Sequence, residues 1–373
     1  MSKIWIFPIE PLTERYTEQW YYKFPQEFAA HGFDVYTVDG QALLENEIKV
    51  GAFLDINSTV HYKMTQLQSI ASHFHNGRVK DGDIFFFGDI EFWGIESVRL
   101  MAQMNNITVR LTGFLHAASY TKEDAFSVAA PYQQYTELGW VAAMDKVFVG
   151  SHYHKEAFLE RRVDSLGIDR KLFADKIVVT QNPLFLDEYH DFGKVEKKKK
   201  VLLTNRFDRE KRPGLTLELF EHLHKLFPDW EFVVTTGRMK IRGHDEDIRL
   251  LQRLEEKGIV TIKAGLTKEQ YHRELAESYM MVSHSIEENY GYCIAEAIHY
   301  GCIPILTKGL SHDELVTPKY QFDTHYDEIY GSTKGLTDID VCAHWMQRFG
   351  EPQPVMPLNT SGMQNIINEL KTL

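Results

Sequence analysis

The stretch KVLLTNRFDREKRPGLTLELFEHLHKLFPDWEFVVTTG (residues 200–237) decides the fold class. It begins with an apolar run typical of a buried strand and ends with a second such run, WEFVVTTG. Between the two runs, apolar residues recur at helical spacing, which predicts a helix at about 213–226. A strand, a helix and a strand in this order predict an α/β fold with a mainly parallel sheet.

The same alternation continues downstream and also fills the first half of the chain. Helices are predicted at about 245–257 and 291–300 and at TKEQYHRELAES. Further strands are predicted at KIWIF, GFDVYTVDG, DGDIFFFGD, NNITVRLTGF, MDKVFVGS, DKIVVTQNP, GIVTIKAG, MMVSHS and CIPILT. Two α/β units in tandem place a cleft between the carboxyl ends of their sheets.

The alternation breaks at DEYHDFGKVEKKKK, between the two halves. We therefore expect a first unit over residues 1–187, a linker over 188–200 and a second unit over 201–335. The lysines at 197–200 fit a solvated linker better than a nucleic-acid patch. The segment 336–373 ends in the helical pattern NIINELKTL, and we expect it to pack back on the first unit.

Composition excludes several classes of protein. The chain has 373 residues, 43% hydrophobic and 25% charged, as in soluble globular proteins. It lacks an apolar stretch of the ~18–20 residues that span a bilayer, and its start does not resemble a secretory signal. Three cysteines without metal-ligand spacing favour a reducing cytoplasm. The net charge of −12 argues against general binding to nucleic acid or anionic membranes.

Three common nucleotide and hydrolase motifs are missing from the sequence. Neither half carries G-x-G-x-x-G after its first strand, and G-x-x-x-x-G-K-[ST] does not occur. The nucleophile elbow G-x-S-x-G is also missing. Nicotinamide dehydrogenases, P-loop enzymes and α/β-hydrolases are therefore disfavoured.

The most informative segment for function is SHSIEENYGYCIAEAIHYGCIPI (283–305). A helix over about 291–300 puts Glu288 in the preceding loop and Glu296 on the second turn, on the order of 10 Å apart. The helix N-terminus suits a phosphate, and the two carboxylates can hold hydroxyls at both ends of a nucleotide-sugar. An acidic cluster that only caps the helix explains the spacing equally well.

Two cations flank the loop that follows the strand at 200–203. Arg206 comes directly after this strand, and Lys211 precedes the helix predicted at 213–226. Together they can neutralise a diphosphate leaving group, arginine by its fork geometry and lysine as a point charge. A solvated loop of mixed charge is the alternative, and it would be favoured if this feature stood alone.

The two features together resemble the retaining nucleotide-sugar glycosyltransferases of family 4. These enzymes have the GT-B fold, α/β with two Rossmann-like domains facing each other across a cleft. The resemblance covers about 105–316 and is most specific in the second half. The matching positions there are Arg206 and Lys211, Gly265, Glu288 and Glu296, Gly301 and Pro304. Weaker matches in the first half are LTGFLHAAS, MDKVFVGSHYHKEAFL and VTQNPLFLDEY.

The resemblance implies an enzyme that uses a nucleoside-diphosphate sugar, most commonly a UDP-sugar, as co-substrate and that needs no metal or other cofactor. By this resemblance Arg206 and Lys211 would bind the diphosphate, and Glu288 would bind hydroxyls of the donor sugar. His116 would approach the sugar from the first unit, although a histidine at a strand end is also often structural. The departing diphosphate then needs electrostatic stabilisation more than the sugar needs a protein nucleophile.

The resemblance also implies the remaining contacts to the donor. They are Glu296 on the ribose hydroxyls, the amides of Gly291, Tyr292 and Cys293 on phosphate and sugar, and the backbone of Lys263 and Ala264 on the nucleobase.

Three positions depart from the family pattern. The loop from Pro8 to Tyr16 carries Glu10, Glu14 and Arg15 where a glycine-rich loop is common, so the acceptor chemistry is not implied. Asn205 replaces the glycine that is common before the arginine. The approach to the next strand, G-C-I-P, is one residue longer than usual.

The segment 113–159 loosely resembles a compact branch of the family that modifies nucleic-acid bases. This branch includes queuosine-tRNA mannosyltransferases and bacteriophage enzymes that glycosylate hydroxymethylpyrimidines in DNA. We therefore predict DNA as the partner and a hydroxymethylpyrimidine as the acceptor, in the host cytoplasm if a phage encodes the chain. Aromatic candidates for stacking on an extracted base are Trp93, Tyr16, Trp20 and Tyr21, with ordinary core packing as the alternative.

Charge weighs against a DNA acceptor, because the first 190 residues hold 17 basic and 25 acidic side chains. A DNA-binding face would need a concentrated basic patch. Its candidates are Arg161 and Arg162, with Lys155, Arg170, Lys171 and Lys176. Two alternatives stay open: an enzyme that builds surface glycans or small glycosides, and a non-enzymatic nucleotide-sugar-binding protein, which the intact motif residues disfavour.

Overall fold

The computed structural model describes residues 3–12, 16–43, 55–121, 127, 130–323, 336–352 and 355–373. The chain divides into two compact units. The first comprises Met1–Phe185 with Thr360–Leu373, and the second comprises Leu186–Asn359.

The sheet of the first unit has strands in the order β2-β1-β3-β4-β5-β6, and all neighbours are parallel. The strands are β1 (Lys3–Phe7), β2 (Asp34–Thr37), β3 (Ile84–Phe87), β4 (Arg110–Phe114), β5 (Lys146–Val149) and β6 (Ile177–Val179). Trp5 of β1 lies opposite Tyr36 on one side and Phe85 on the other. All the strands that the sequence predicts in this half are confirmed.

Helices connect these strands, as a parallel sheet requires. They are α1 (Tyr16–Ala30), α2 (Ile56–His75), α3 (Ile95–Met104), α4 (Ala130–Ala143) and α5 (His152–Phe158). Every residue of β3 is buried, which explains its continuous IFFF sequence in place of an alternating one. Asp55 caps the start of α2, where its carboxylate accepts from the N–H of Ser58.

The second unit repeats the architecture with strands in the order β12-β11-β10-β7-β8-β9, again all parallel. The strands are β7 (Lys198–Leu203), β8 (Glu231–Thr235), β9 (Val260–Lys263), β10 (Ser278–Ser283), β11 (Ile303–Thr307) and β12 (Gln321–Phe322). Val201 of β7 lies opposite Phe232 and Met280, in a core of aliphatic and aromatic side chains. The predicted α/β class, with two parallel sheets, is confirmed.

The helices of the second unit are α6 (Pro213–Leu226), α7 (Asp245–Glu256), α8 (Lys268–Glu277), α9 (Tyr292–His299), α10 (His312–Leu315) and α11 (Asp338–Met346). Helix α6 has the predicted bounds, and its first residue is a proline, which suits that position. Helix α8 begins with a capping box between Thr267 and Gln270. Within the described ranges, none of the helices has the length and apolar character of a membrane span.

The prediction that the lysines at 197–200 belong to a solvated linker is not met, because β7 already begins at Lys198. Lys200 is buried, with its ammonium 2.8 Å from the Glu274 carboxylate. Lys198 pairs with Glu277 at 2.6 Å. The partner carboxylates lie more than 70 positions along the chain, so the local charge run gives no sign of them.

The final helix, α12 (Gly362–Lys371), belongs to the first unit. The Asn365 side-chain amide donates to the carbonyl of Thr180 at 3.0 Å. Gly362 lies so close to Asn182 that a Cβ would stand 2.6 Å from its carbonyl oxygen. The segment before Thr360 stays with the second unit.

Arg162 was predicted to lie in an exposed basic patch, but it is buried. Its guanidinium forms an ion pair with Glu137, and the two side chains are only 7% and 2% exposed. A second nitrogen donates to the Ser119 hydroxyl at 2.8 Å. Arg162 therefore stabilises the interior of the first unit and is not offered to a ligand.

Other members of the predicted patch are also engaged within the first unit. Arg170 lies 2.7 Å from Asp164 and 2.8 Å from Glu156. Lys176 donates to two main-chain carbonyls. Arg161 contacts the hydroxyl of a neighbouring tyrosine at 3.3 Å.

We expect Arg162→Leu to lower the free energy of unfolding by about 3–5 kcal/mol, because Glu137 would keep a buried charge without its partner. Arg170→Leu is the matched control, since its acidic partners are largely exposed and such pairs contribute little. Urea unfolding followed by circular dichroism measures both. Equal stability of the two variants would contradict the structural role of the buried pair.

Candidate active site

The loops that follow the strands of the second unit share one edge of its sheet, because all its strands are parallel. β7 lies between β8 and β10, so the chain passes to opposite sides of β7. Such a switch point opens a crevice at the carboxyl ends of the strands. The loop after β7 carries Arg206 and Lys211, and the loop after β10 carries Glu288.

Lys211 and Glu288 connect these two loops. The Lys211 ammonium lies 2.8 Å from the Glu288 carboxylate and donates to the carbonyl of Glu287 at 3.0 Å. Burial lowers the pKa of Lys211, but the Glu288 and Glu210 carboxylates outweigh it, so that the pKa is raised. Burial likewise raises the pKa of Glu288, and Lys211 reverses this to a lowered pKa. Both groups are therefore charged at neutral pH.

Arg206 lies beside carboxylates of its own loop. Its guanidinium is 2.7 Å from Asp208 and 2.9 Å from Glu210, and 40% of the side chain is exposed. Burial raises the pKa of Glu210, although Lys211 and Arg206 oppose the effect. The two predicted cations thus lie on one loop, with carboxylates between and beside them.

Helix α9 follows the predicted geometry, with Glu288 in the loop before it and Glu296 on its second turn. Gly291 precedes the helix with φ +92°, a conformation that favours glycine. A Cβ here would lie 2.8 Å from Ile294 and 3.4 Å from the Glu288 side chain. The glycine therefore lets the loop that carries Glu288 pack closely against the first turn of α9, which begins at Tyr292.

The Glu296 carboxyl lies against two residues of α8. One oxygen, Oε2, accepts from the Tyr271 hydroxyl at 3.1 Å, and the other, Oε1, is 4.0 Å from His272 Nε2. Burial raises the pKa of Glu296 to about 7, although Lys268 and Tyr271 lower it. Unlike Glu288, this carboxyl is half protonated near neutral pH.

Asn205, which departs from the family pattern, is buried beneath the switch point. Its amide nitrogen donates to the hydroxyl of Ser283, and its oxygen accepts from the Cys293 thiol at 3.3 Å. Burial raises the pKa of Cys293 to about 12, so the thiol stays neutral. Asn205 therefore ties β7 to β10 and to the first turn of α9.

The predicted nucleobase contacts lie at the end of β9. The carbonyl of Lys263 accepts from the N–H of Thr236 at 3.0 Å, and the Lys263 ammonium pairs with Glu274. Ala264 is exposed and makes no backbone hydrogen bond to the described residues, whereas the N–H of Gly265 is already bonded. Of the two predicted residues, Ala264 is therefore the one whose peptide groups are exposed at the carboxyl edge of the sheet.

In the first unit, His116 lies just beyond β4, at the carboxyl edge of that sheet. Its Nε2 is 2.8 Å from the carbonyl of Gly88, which can only accept, so Nε2 carries the proton. Its Nδ1 then accepts from the Tyr16 hydroxyl at 3.3 Å. Burial lowers the pKa of His116, which keeps the ring neutral at pH 7.

An ion pair beside His116 was not predicted. Lys63 of α2 lies 2.7 Å from Asp89, which follows β3, and the side chains are 4% and 8% exposed. Burial raises the pKa of Asp89, but the Lys63 ammonium reverses this to a lowered pKa. A carboxylate directly after a buried strand, in GDIEFWG, was the available signal for Asp89. Lys63 lies within a long helix, where the sequence gives no such signal.

The predicted stacking aromatics have different surroundings. Trp20 is 2% exposed and belongs to the core, which confirms the alternative interpretation for it. Trp93 packs edge-on against Trp140 at 6.0 Å, with the Lys63 ammonium 5.5 Å from its ring. Tyr16 lies beside His116 as described above, and Tyr21 donates to Asp39. Glu14 and Arg15 lie outside the described residues.

Across the part of the chain that the structure describes, no three His, Cys, Asp or Glu side chains are grouped so that they could hold a metal ion.

Comparison with known proteins connects this geometry to a family. Residues 187–324 match the family model described as "Glycosyl transferases group 1". A search of curated proteins gives no match.

Several solved structures share the fold over the whole chain. Sucrose-phosphate synthase from Thermosynechococcus elongatus has a TM-score of 0.63 at 14% identity, over 100% of this chain and 95% of that one. HepE from Anabaena, solved with UDP and glucose, has a TM-score of 0.60 at 12% identity, over 100% of both chains. An α,α-trehalose-phosphate synthase (UDP-forming) from Burkholderia vietnamiensis has a TM-score of 0.58 at 11% identity, over 100% and 95%.

At these identities the structural likeness shows the fold, and the predicted GT-B class is confirmed. Residues 187–324 form a glycosyl transferases group 1 domain, and the chain is a glycosyltransferase.

Proposed function

We propose that this chain transfers a sugar from a UDP-sugar to a hydroxyl acceptor with retention of the anomeric configuration. The observation that carries the proposal is the Lys211–Glu288 ion pair at the β7–β10 switch point, with Arg206 on the same loop. Cations at this place stabilise the negative charge that develops as the diphosphate departs.

The spacing of the sheet supports a nucleoside diphosphate as the donor. β9 is two strands away from β7, so the carboxyl ends of these two strands lie about 10 Å apart. This distance suits a base at the end of β9 and a diphosphate at the switch point. Glu296 of α9 offers a carboxylate oxygen to the ribose hydroxyls, and the first turn of the same helix offers N–H groups to the phosphates.

Uridine is the proposed base because two of the compared structures carry it in their descriptions, one as a UDP complex and one as a UDP-forming enzyme. The exposed peptide of Ala264 can pair with the edge of such a base. The role of His116 at the donor sugar stays a prediction of the family resemblance.

For the acceptor, we favour a sugar or glycan hydroxyl over a DNA base. In the predicted basic patch, Arg162 is buried with Glu137, and Arg170 lies between two carboxylates. The net charge of −12 also disfavours a polyanion. Mass spectrometry after incubation of UDP-sugars with small sugars, glycans and hydroxymethylated DNA tests the choice, and a sugar increment on DNA alone would reverse it.

We expect Arg206→Ala and Lys211→Ala each to slow sugar transfer by roughly 10²–10³-fold, because each removes a cation that stabilises the leaving diphosphate. Arg209→Ala, which removes an exposed cation of the same loop, is the matched control and should retain wild-type turnover. Initial rates of UDP release with acceptor present measure the effect. Wild-type rates in both site variants, with native circular dichroism, would refute this assignment.

Glu296→Ala should act mainly on nucleotide affinity, whereas Glu288→Ala should act mainly on sugar transfer. A ribose contact is equal in the ground and transition states, while a contact to the reacting sugar changes between them. Calorimetry with UDP and steady-state rates separate the two effects. An equal loss of UDP affinity in both variants would show that the roles are not divided in this way.

A further inference from the structure

The second oxygen of Glu296 faces a buried histidine with which it makes no hydrogen bond. Oε1 lies 4.0 Å from Nε2 of His272, a side chain that is 0% exposed. This Nε2 has no partner among the described residues. A buried polar atom without a partner is costly, so its position next to a ligand-binding carboxyl calls for an explanation.

His272 is connected on its other side to a second histidine. Its Nδ1 lies 3.2 Å from Nδ1 of His190, which precedes β7. Burial lowers the pKa of His272 to about 3, so this ring carries one proton and stays neutral. Whichever Nδ1 donates in this contact therefore decides whether Nε2 of His272 is a donor or an acceptor.

The two tautomers suit the two protonation states of Glu296. If His190 donates to His272, then Nε2–H of His272 points at Oε1 and can donate to the carboxylate. If His272 donates to His190, its bare Nε2 can accept from a protonated Glu296. In either case a shift on the order of 1 Å closes the present gap to hydrogen-bond distance.

We propose that His190 and His272 form a two-tautomer relay that positions Glu296 and removes its proton as the donor nucleotide binds. The inference rests on the proposed role of Glu296 in binding ribose. Only the ionised carboxylate leaves all its lone pairs to accept from the ribose hydroxyls and from Tyr271. His190 and His272 act here as positioning residues, because neither touches the nucleotide.

The proton balance of the relay is simple. The Glu296 proton passes to Nε2 of His272, the Nδ1 proton of His272 passes to Nδ1 of His190, and the Nε2 proton of His190 passes to water. Each ring gains one proton and loses one, so the net change is one proton released. His190 is only partly buried, which gives the fully buried His272 a route to solvent for its proton.

Other groups also influence the pKa of Glu296, and their effect is present in every compared variant that retains this carboxyl. Lys268 of α8 favours the carboxylate, and Tyr271 donates to it. Tyr189 also interacts with it electrostatically, as do Cys293 of α9 itself and Tyr300, which follows that helix. His299 acts on His272 and disfavours a charge there.

UDP affinity as a function of pH tests the relay. The terminal phosphate of UDP itself titrates near pH 6, so the profile of Glu296→Gln serves as the baseline. Relative to that baseline, UDP should bind more tightly to the wild type as the pH rises through about 7, because Glu296 ionises there. His272→Phe removes the N–H that supports the carboxylate, so the midpoint should move upward by roughly half a unit or more.

Variants at His190 separate the relay from packing. His190→Phe should also raise the midpoint, whereas His190→Gln, which can donate and accept, should leave it near wild type. His224→Phe, on α6, is the matched control and should behave as wild type. If His272→Phe does not fold, the two His190 variants carry the test.

The outcomes distinguish the relay from the proposed function. UDP binding with an unchanged midpoint in folded His272→Phe, or in both His190 variants, would overturn the relay and leave the function standing. A wild-type profile identical to that of Glu296→Gln would do the same. Absence of UDP binding to the wild type at every pH from 5 to 9 would overturn both.

Discussion

The ion pair between Lys211 and Glu288 is the interaction on which the candidate site depends. It connects the loops of two strands that are neighbours in the sheet but lie far apart in sequence. Each partner keeps the other charged against the cost of burial, since burial alone would favour the neutral form of both. The pair thus holds the loop after β7, which carries Arg206 and Lys211, against the loop that precedes α9.

The two glutamates of the family signature differ in their electrostatics. Glu288 has a lysine in contact and a lowered pKa, whereas Glu296 has a tyrosine in hydrogen-bond contact and a pKa of about 7. Their spacing along the chain places them but says nothing of their charge. Two side chains of one type therefore offer a fixed anion at one end of the site and a titratable group at the other.

The sequence predicts the elements well because apolar periodicity is local, as in α6 and the buried β3 strand. It also places Arg206, Lys211 and both glutamates correctly on their loops and helix. It fails where charge pairs are formed across the fold. Lys200, Arg162 and Lys63 look like surface cations, yet each is buried against a carboxylate from a distant segment. Neither the type of a residue nor its spacing from its neighbours predicts a partner from a distant segment of the chain.

The return of α12 to the first unit has a consequence for synthesis on the ribosome. The second unit is inserted into the first, between Phe185 and Thr360. Because a chain is made from its N-terminus, the inserted unit can complete its core while the first unit still lacks its last helix. Until α12 has left the ribosome, Gly362 and Asn365 have not reached their places beside Asn182 and Thr180. The unit that begins first is therefore the one that finishes last.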